Sequence, residues 1–368
     1  MIYLDSGATS FRKPACVHGA VVRAMRSCAS PGRGGYGAAR CAQQELFVCR
    51  EQAAKMFDCQ PEQVVFTTNA THGLNIAIRT LVNPMDRVVI SGLEHNAVVR
   101  PLYGIGANVE VAGRKLFDPR DTLDAFERAL RRGVKAAVCT HCSNVFGYVL
   151  PVEELGRLCK QYGVPFIVDA AQSAGVLPVE LQKWGADFIA MPGHKGLLGP
   201  QGTGLLLCNR LPKPLLMGGT GSYSQSRSMP DFLPDMLEAG TANVPGIAGL
   251  CAGIKYISRQ GLDTIGHKKK RQCVRCASGL EKLGMKVFCG EDQNTAVSFV
   301  PKIDCQEFAD LLWKRKVAVR AGLHCAPIAH ESAGTLESGT VRVSFGMDCC
   351  DEQTDRFLQL VENCKTAM

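Results

Sequence analysis

The feature that most constrains this chain is a series of short apolar runs, each closed by polar or glycine-rich residues. Runs at residues 64–68, 87–91, 136–140, 165–169, 188–191 and 204–208 read as buried strands. Residues 71–81 and 153–162 read as helices; in the second, Leu155, Leu158 and Tyr162 fall at helical spacing. Such alternation predicts an α/β fold with an open, mostly parallel sheet covered on both faces. Ligands of such sheets sit beyond the carboxyl ends of the strands, so polar residues just after the apolar runs are the ones to inspect. From about residue 250 the pattern changes. A long helical stretch at 248–283 precedes strand-like segments at 296–300, 317–320 and 340–345 and helices at 306–314 and 352–364. The 368 residues exceed what one small core usually holds. We expect a large domain over 15–250 and a smaller C-terminal α+β domain over 251–368, with residues 1–14 packed near it.

Composition narrows the class. With 46% hydrophobic and 21% charged residues the chain is neither disordered nor fibrous. Its apolar runs are too short to span a bilayer, and its first thirty residues lack the apolar stretch of a secretory signal, so a cytoplasmic protein without a membrane partner is expected. The net charge of +8 is spread along the sequence. Its densest cluster, His267-Lys268-Lys269-Lys270-Arg271, reads as a solvated helix face, and no nucleic-acid partner is expected. The 18 cysteines, in a long chain with no signal, read as reduced thiols that mostly serve as small buried hydrophobes. The pairs Cys139/Cys142 and Cys273/Cys276 would need to meet across the fold to bind zinc; no metal site is expected.

Gly32-Arg33-Gly34-Gly35-Tyr36-Gly37 matches a dinucleotide fingerprint only formally. It follows Ser30-Pro31 after a helical stretch rather than a strand, and reads as a loop able to line a pocket. The strongest signal is Pro192-Gly193-His194-Lys195-Gly196, directly after the run at 188–191. Glycines let a ligand approach the backbone, and a partly desolvated lysine can form a Schiff base. Twenty-six residues earlier, another run ends in Asp169-Ala170-Ala171-Gln172. A carboxylate there can pair with a pyridinium nitrogen, or merely cap a helix. Thr68-Asn69-Ala70-Thr71-His72-Gly73 joins a strand to a helix whose first N–H groups suit a phosphate.

These motifs, with Tyr3-Leu4-Asp5-Ser6-Gly7-Ala8-Thr9, Glu94-His95-Asn96-Ala97, Ser143-Asn144-Val145-Phe146-Gly147 and Glu238-Ala239-Gly240-Thr241, stand in the order seen in one family. Over nearly its whole length the chain resembles class V, fold-type I pyridoxal-phosphate enzymes of the cysteine desulfurase/selenocysteine lyase family. The segment Val319-Arg320-Ala321-Gly322-Leu323-His324-Cys325-Ala326-Pro327 resembles the short cysteine-bearing loop of group II, SufS-like members. Three positions depart from the group: Pro192 where serine is frequent, Leu323 where histidine is, and Tyr148 where threonine is.

The resemblance implies roles at the matching positions. Lys195 would hold pyridoxal phosphate covalently, Asp169 would face its ring nitrogen, Gln172 its phenolic oxygen, and His95 would stack on the ring. Thr71, the His72 backbone and His194 would contact the phosphate, and Thr241 would reach the phosphate of a neighbouring subunit, which implies a homodimer. Asn144, Arg320 and Arg342 would serve the substrate, with the arginine fork suited to a carboxylate. Cys325 would be the nucleophile, its thiolate promoted by His324 and Arg320. The implied reaction converts L-cysteine to L-alanine, leaves a persulfide on Cys325 and passes sulfur to an acceptor protein, as in iron–sulfur cluster or thiolated-cofactor biosynthesis. Selenocysteine lyase, transamination and C–S elimination use the same framework. A non-catalytic, thiol-rich metal- or sulfur-binding protein is the remaining reading, and Lys195 in its setting speaks against it.

Overall fold

The computed structural model describes residues 1–32 and 34–365. After β1 (Ile2–Tyr3), helices α1 (Ala15–Ser27) and α2 (Gly37–Met56) lead to β2 (Val64–Thr67). Alternation then sets in: α3 (Ala70–Leu81), β3 (Arg87–Ser91), α4 (Asn96–Ile105), β4 (Asn108–Ala112), α5 (Pro119–Arg131), β5 (Ala136–Thr140), α6 (Val152–Gln161), β6 (Phe166–Asp169), α7 (Leu181–Trp184), β7 (Phe188–Pro192) and β8 (Gly204–Cys208). These strands form one sheet in the order β2-β8-β7-β6-β5-β3-β4, parallel except where β8 pairs antiparallel with β2 and β7. The expected α/β architecture is thus observed.

The two-residue period of the strands explains why both faces are covered. Cys139, Val168 and Ile189 point into one core; Val138, Ile167 and Ala190 point into another on the opposite face. Gly73 lets α3 lie close on the second face, since a Cβ there would stand 3.2 Å from that of Ala190. Register sets β5, β6 and β7 flush, with Thr140 opposite Asp169 and Asp169 opposite Ala190. The order reverses between β3 and β5, where such sheets open a crevice at their carboxyl ends.

The remainder comprises α8 (Val244–Gln260), α9 (Leu262–Lys282), β9 (Lys286–Phe288), β10 (Ala296–Val300), α10 (Cys305–Lys314), β11 (Val317–Ala318), β12 (Arg320–Gly322), α11 (Pro327–Ala333), β13 (Thr340–Ser344) and α12 (Asp351–Lys365). The helical stretch expected at 248–283 is two helices, broken at Gly261, whose φ of +81° no helix accommodates. The strand expected at 317–320 divides into β11, which pairs with β1, and β12, which edges the antiparallel sheet β12-β13-β10-β9. Leu4 is buried in the third core with Val317, Val343 and Phe357. Among the described residues no helix is long and apolar enough to cross a membrane.

Candidate active site

Five turns at the carboxyl edge of the main sheet carry expected residues: Thr71 and His72 after β2, His95 after β3, Asn144 after β5, Asp169 and Gln172 at β6, and His194 and Lys195 after β7. Lys195 follows β7 and is half-buried. No hydrogen bond or ion pair from any described residue engages its Nζ. Burial pushes the amine down to about 8 against the pull of Asp169, and Arg342 and Arg320 push the same way as burial. Gly193 and Gly196, expected to admit a ligand, are instead required by packing. A Cβ on Gly193 would stand 2.2 Å from Thr203 Oγ1, and one on Gly196 the same distance from the Ala174 carbonyl.

Asp169 ends β6 and is 2% exposed. Its Oδ1 accepts the Ala171 N–H at 2.8 Å; among the described residues no donor reaches Oδ2. Burial raises this carboxyl above the usual carboxylate range, opposed by the Ala171 N–H and by Lys195. His95 caps α4, its Nδ1 accepting the Ala97 N–H at 3.0 Å. Burial, then the charges of Lys195 and Arg320, push the imidazole down to about 4, so the ring is neutral at physiological pH. The next residue, Asn96, donates its N–H to the Cys325 carbonyl at 2.8 Å, which ties the thiol loop to the helix that His95 caps.

The Cys325 side chain is exposed, and both His324 and Cys325 have left-handed backbones, φ +52° and +57°. Arg320 Nη2 lies 3.8 Å from Sγ, the placement expected of a thiolate partner. His324 does not share that role. Its ring is buried, stacked on His330 with 5.7 Å between centroids, and its Nε2 is 3.2 Å from the Arg320 carbonyl. Burial first, then Arg342, holds it neutral, down to about 2. The left-handed turn points the imidazole inward, where it props the loop.

Three expected residues are held by the N-terminal segment, a role the sequence alone did not reveal. Arg342 is 1% exposed; its Nη2 donates to Asp5 Oδ1 at 2.6 Å, its Nη1 to the Asn144 carbonyl at 2.8 Å, and its buried Nε has no partner among the described residues. Gln172 Nε2 donates to the Gly7 carbonyl at 3.0 Å, and His194 Nδ1 lies 3.0 Å from Thr9 Oγ1. The Tyr3 hydroxyl donates to the Asp5 and Thr9 carbonyls and so curls the segment. Asn144 Nδ2 donates to the His324 carbonyl at 2.8 Å, linking the thiol loop to Arg342. Glu94 is a further buried group beside the site. Its Oε1 accepts from Ser91 Oγ at 2.5 Å and the Thr140 N–H at 2.7 Å, and Oε2 has no partner among the described residues. Burial above all, with the Asp169 charge, pushes it up to about 8, so at neutral pH the carboxyl is largely protonated.

The expected phosphate end lies by a cleft of roughly 570 Å³. His72, Thr68, Thr241, Glu238 and the residues Ser30-Pro31-Gly32 line it; the rest of that glycine-rich loop includes Arg33, outside the described residues. Thr71 is exposed in the first turn of α3. The His72 N–H, expected free, is capped by Asn69 Oδ1 at 2.9 Å, because asparagine is a favoured N-cap. Glu238 accepts the Phe66 N–H at 2.7 Å and pairs with Arg50, which fixes the stretch leading to Thr241. The four CxxC cysteines are buried, and among the described residues no three His, Cys, Asp or Glu side chains gather as a metal would require.

Residues 2–357 match the aminotransferase class-V family. The chain belongs to that family. It is 32% identical to a probable cysteine desulfurase of Pyrococcus abyssi, over 98% of this chain and 94% of the relative. It is 34% identical to a probable cysteine desulfurase of Methanothermobacter thermautotrophicus, over 94% and 90%. The apo structure of a cysteine desulfurase from Thermococcus onnurineus superposes with a TM-score of 0.92 at 31% identity, covering 100% of this chain and 95% of that one.

Proposed function

We propose that the protein is a pyridoxal-phosphate-dependent cysteine desulfurase that converts L-cysteine to L-alanine and retains the sulfur as a persulfide on Cys325. The observation that carries this is the joining of two chemistries. Lys195, unpaired among the described residues, is close enough to buried Asp169 and to His95 for their charges to act on one another, and the exposed Cys325 is tied to the helix that His95 begins. The orphan sites suit the cofactor and substrate. Asp169, a buried residue whose Oδ2 meets no donor among the described residues, fits a ring N–H, and Arg342 Nε, unpartnered among them, has a donor left for a carboxylate.

Lys195, Asp169, His95 and Gln172 would hold the cofactor's ring, and Thr71, the first turn of α3, His194 and a partner subunit's copy of Thr241 its phosphate. When bound, pyridoxal phosphate supplies the electron sink that makes the substrate Cα–H acidic. Lys195 Nζ, neutral once deprotonated near pH 8, takes that proton. Arg320 and Arg342 hold the substrate carboxylate. The Cys325 thiolate, attracted by Arg320, attacks the substrate sulfur; the new S–S bond forms as the C–S bond breaks, and Cβ ends protonated as the methyl group of alanine. Sulfur then passes from Cys325 to an acceptor thiol. The assembly proposed is a homodimer, which light scattering at assay concentration would report.

The test is alanine release from L-cysteine, with borohydride reduction and peptide mapping of the bound cofactor. The reading requires alanine formation, its loss in Lys195→Ala, and the cofactor label on Lys195. A label on another lysine overturns it.

A further inference from the structure

The basic run on α9 was expected to be a solvated face, and the structure divides it. His267, Lys270 and Arg271 are exposed, Lys268 is half-buried, and Lys269 is 7% exposed. Among the described residues none gives Lys269 Nζ a hydrogen bond or ion pair. The groups nearest to it in this respect are the thiols of Cys142, Cys273 and Cys349, which burial keeps protonated and neutral, and the Asp348 carboxylate. A buried cation without a partner is costly, and here burial pushes the amine down to about 8.

Lys269 borders a cavity of about 370 Å³ between α8, α9 and residues 12–14. Arg12, Lys13 and Lys268 share its wall, and Asp348 is the one carboxylate among the lining residues. The charges there are only loosely satisfied. Lys13 donates to Ser10, Lys268 to the Met347 carbonyl at 2.7 Å, and Arg12 meets Asp348 at 3.4 Å with both side chains at least half exposed. Among the described residues, each lysine keeps at least one N–H donor free. Leu198, Tyr256 and Ile265 supply apolar wall. The size suits a small molecule, at the lower end of ligand pockets.

We propose that this cavity binds a small oxyanion bearing a phosphate-type group, with Lys269 as its buried countercharge. An anion there gives Lys269 the partner it lacks and shares the donors of Lys13, Lys268 and Arg12. The site is separate from Lys195, Asp169 and Cys325, none of which lines it, yet it backs onto the lysine turn. Leu198 is on its wall, and the Leu198 N–H donates to the Lys195 carbonyl at 3.0 Å.

The experiment titrates inorganic phosphate, and in parallel glycerol 3-phosphate, into the protein as purified with its cofactor bound, followed by calorimetry at constant chloride. One saturable site per chain is expected, weakened at least about tenfold in Lys269→Met and several-fold in Arg12→Gln and Lys268→Gln. The two rim variants keep the test open should Lys269→Met fail to fold. Tighter binding of glycerol 3-phosphate identifies the group as part of an organic ligand; equal binding identifies a free oxyanion. In wild type, phosphate should also slow acylation of Lys269 by acetic anhydride relative to exposed Lys270, read by peptide mass spectrometry. Absence of saturable binding, equal affinity in the variants, or equal slowing at both lysines overturns the proposal.

Discussion

Removal of the Asp5 carboxylate should destabilise the protein from 337 residues away. Arg342 is 1% exposed and Asp5 20%, and their 2.6 Å contact is the ion pair that neutralises a guanidinium inside the site. Arginine cannot shed its proton to escape burial. Deleting one partner of a buried pair typically costs 3–5 kcal/mol, because the other charge stays buried. Partial exposure of Asp5 places Asp5→Ala near the lower end, about 3 kcal/mol, or a fall of roughly 4 °C in Tm by differential scanning fluorimetry for a chain of 368 residues. Asp5→Asn keeps an acceptor but loses the charge and should fall between the two. L-alanine, whose carboxylate can stand in for Asp5, should raise the Tm of Asp5→Ala more than that of wild type. A Tm for Asp5→Ala within about 1 °C of wild type would refute the reasoning, since no uncompensated charge would then have been left.

Two further outcomes follow from buried carboxyls. Asp169→Asn retains shape and loses charge, so alanine formation should drop about a hundredfold to a thousandfold while circular dichroism is unchanged; near-normal turnover would leave Asp169 as a turn residue only. Glu94, raised to about 8 in the fold, binds a proton that the unfolded chain releases near its ordinary carboxyl pKa. Its contribution is complete below that ordinary value and is lost as pH rises through about 8. Denaturant titrations should therefore show stability falling by up to roughly 1.4 kcal/mol per pH unit across that window, and Glu94→Gln should remove this part of the slope. Parallel profiles for the two proteins would mean Glu94 is ionised in the fold.

What was legible in the sequence follows from burial. β3, β5 and β8 match their apolar runs at both ends because strands buried on two faces are written without polar interruption. β4 carries Asn108 and Glu110 on a half-buried edge, and the polar α5 has no continuous apolar signal, so neither was read. Lys195 and Asp169 were legible as polar residues at the ends of apolar runs. Asp5, Thr9 and Glu94 were not, because their value lies in contacts made by the fold: Asp5 with Arg342, Thr9 with His194, Glu94 with β5. His324 was misread for a related reason, since which way a ring turns at a left-handed residue is a tertiary outcome. The burial of Lys269 is not legible either, because a run of like charges does not show which member faces inward.

The central claim is that Cys325 accepts sulfur from L-cysteine. Wild-type protein treated with L-cysteine in the absence of reductant, digested and analysed by mass spectrometry, tests it directly. One additional sulfur on the peptide containing Cys325, absent from Cys325→Ser along with nearly all cysteine desulfuration, is the predicted result. Sulfur on Cys139, Cys142 or another thiol, or normal desulfuration by Cys325→Ser, would contradict the account and favour simple elimination.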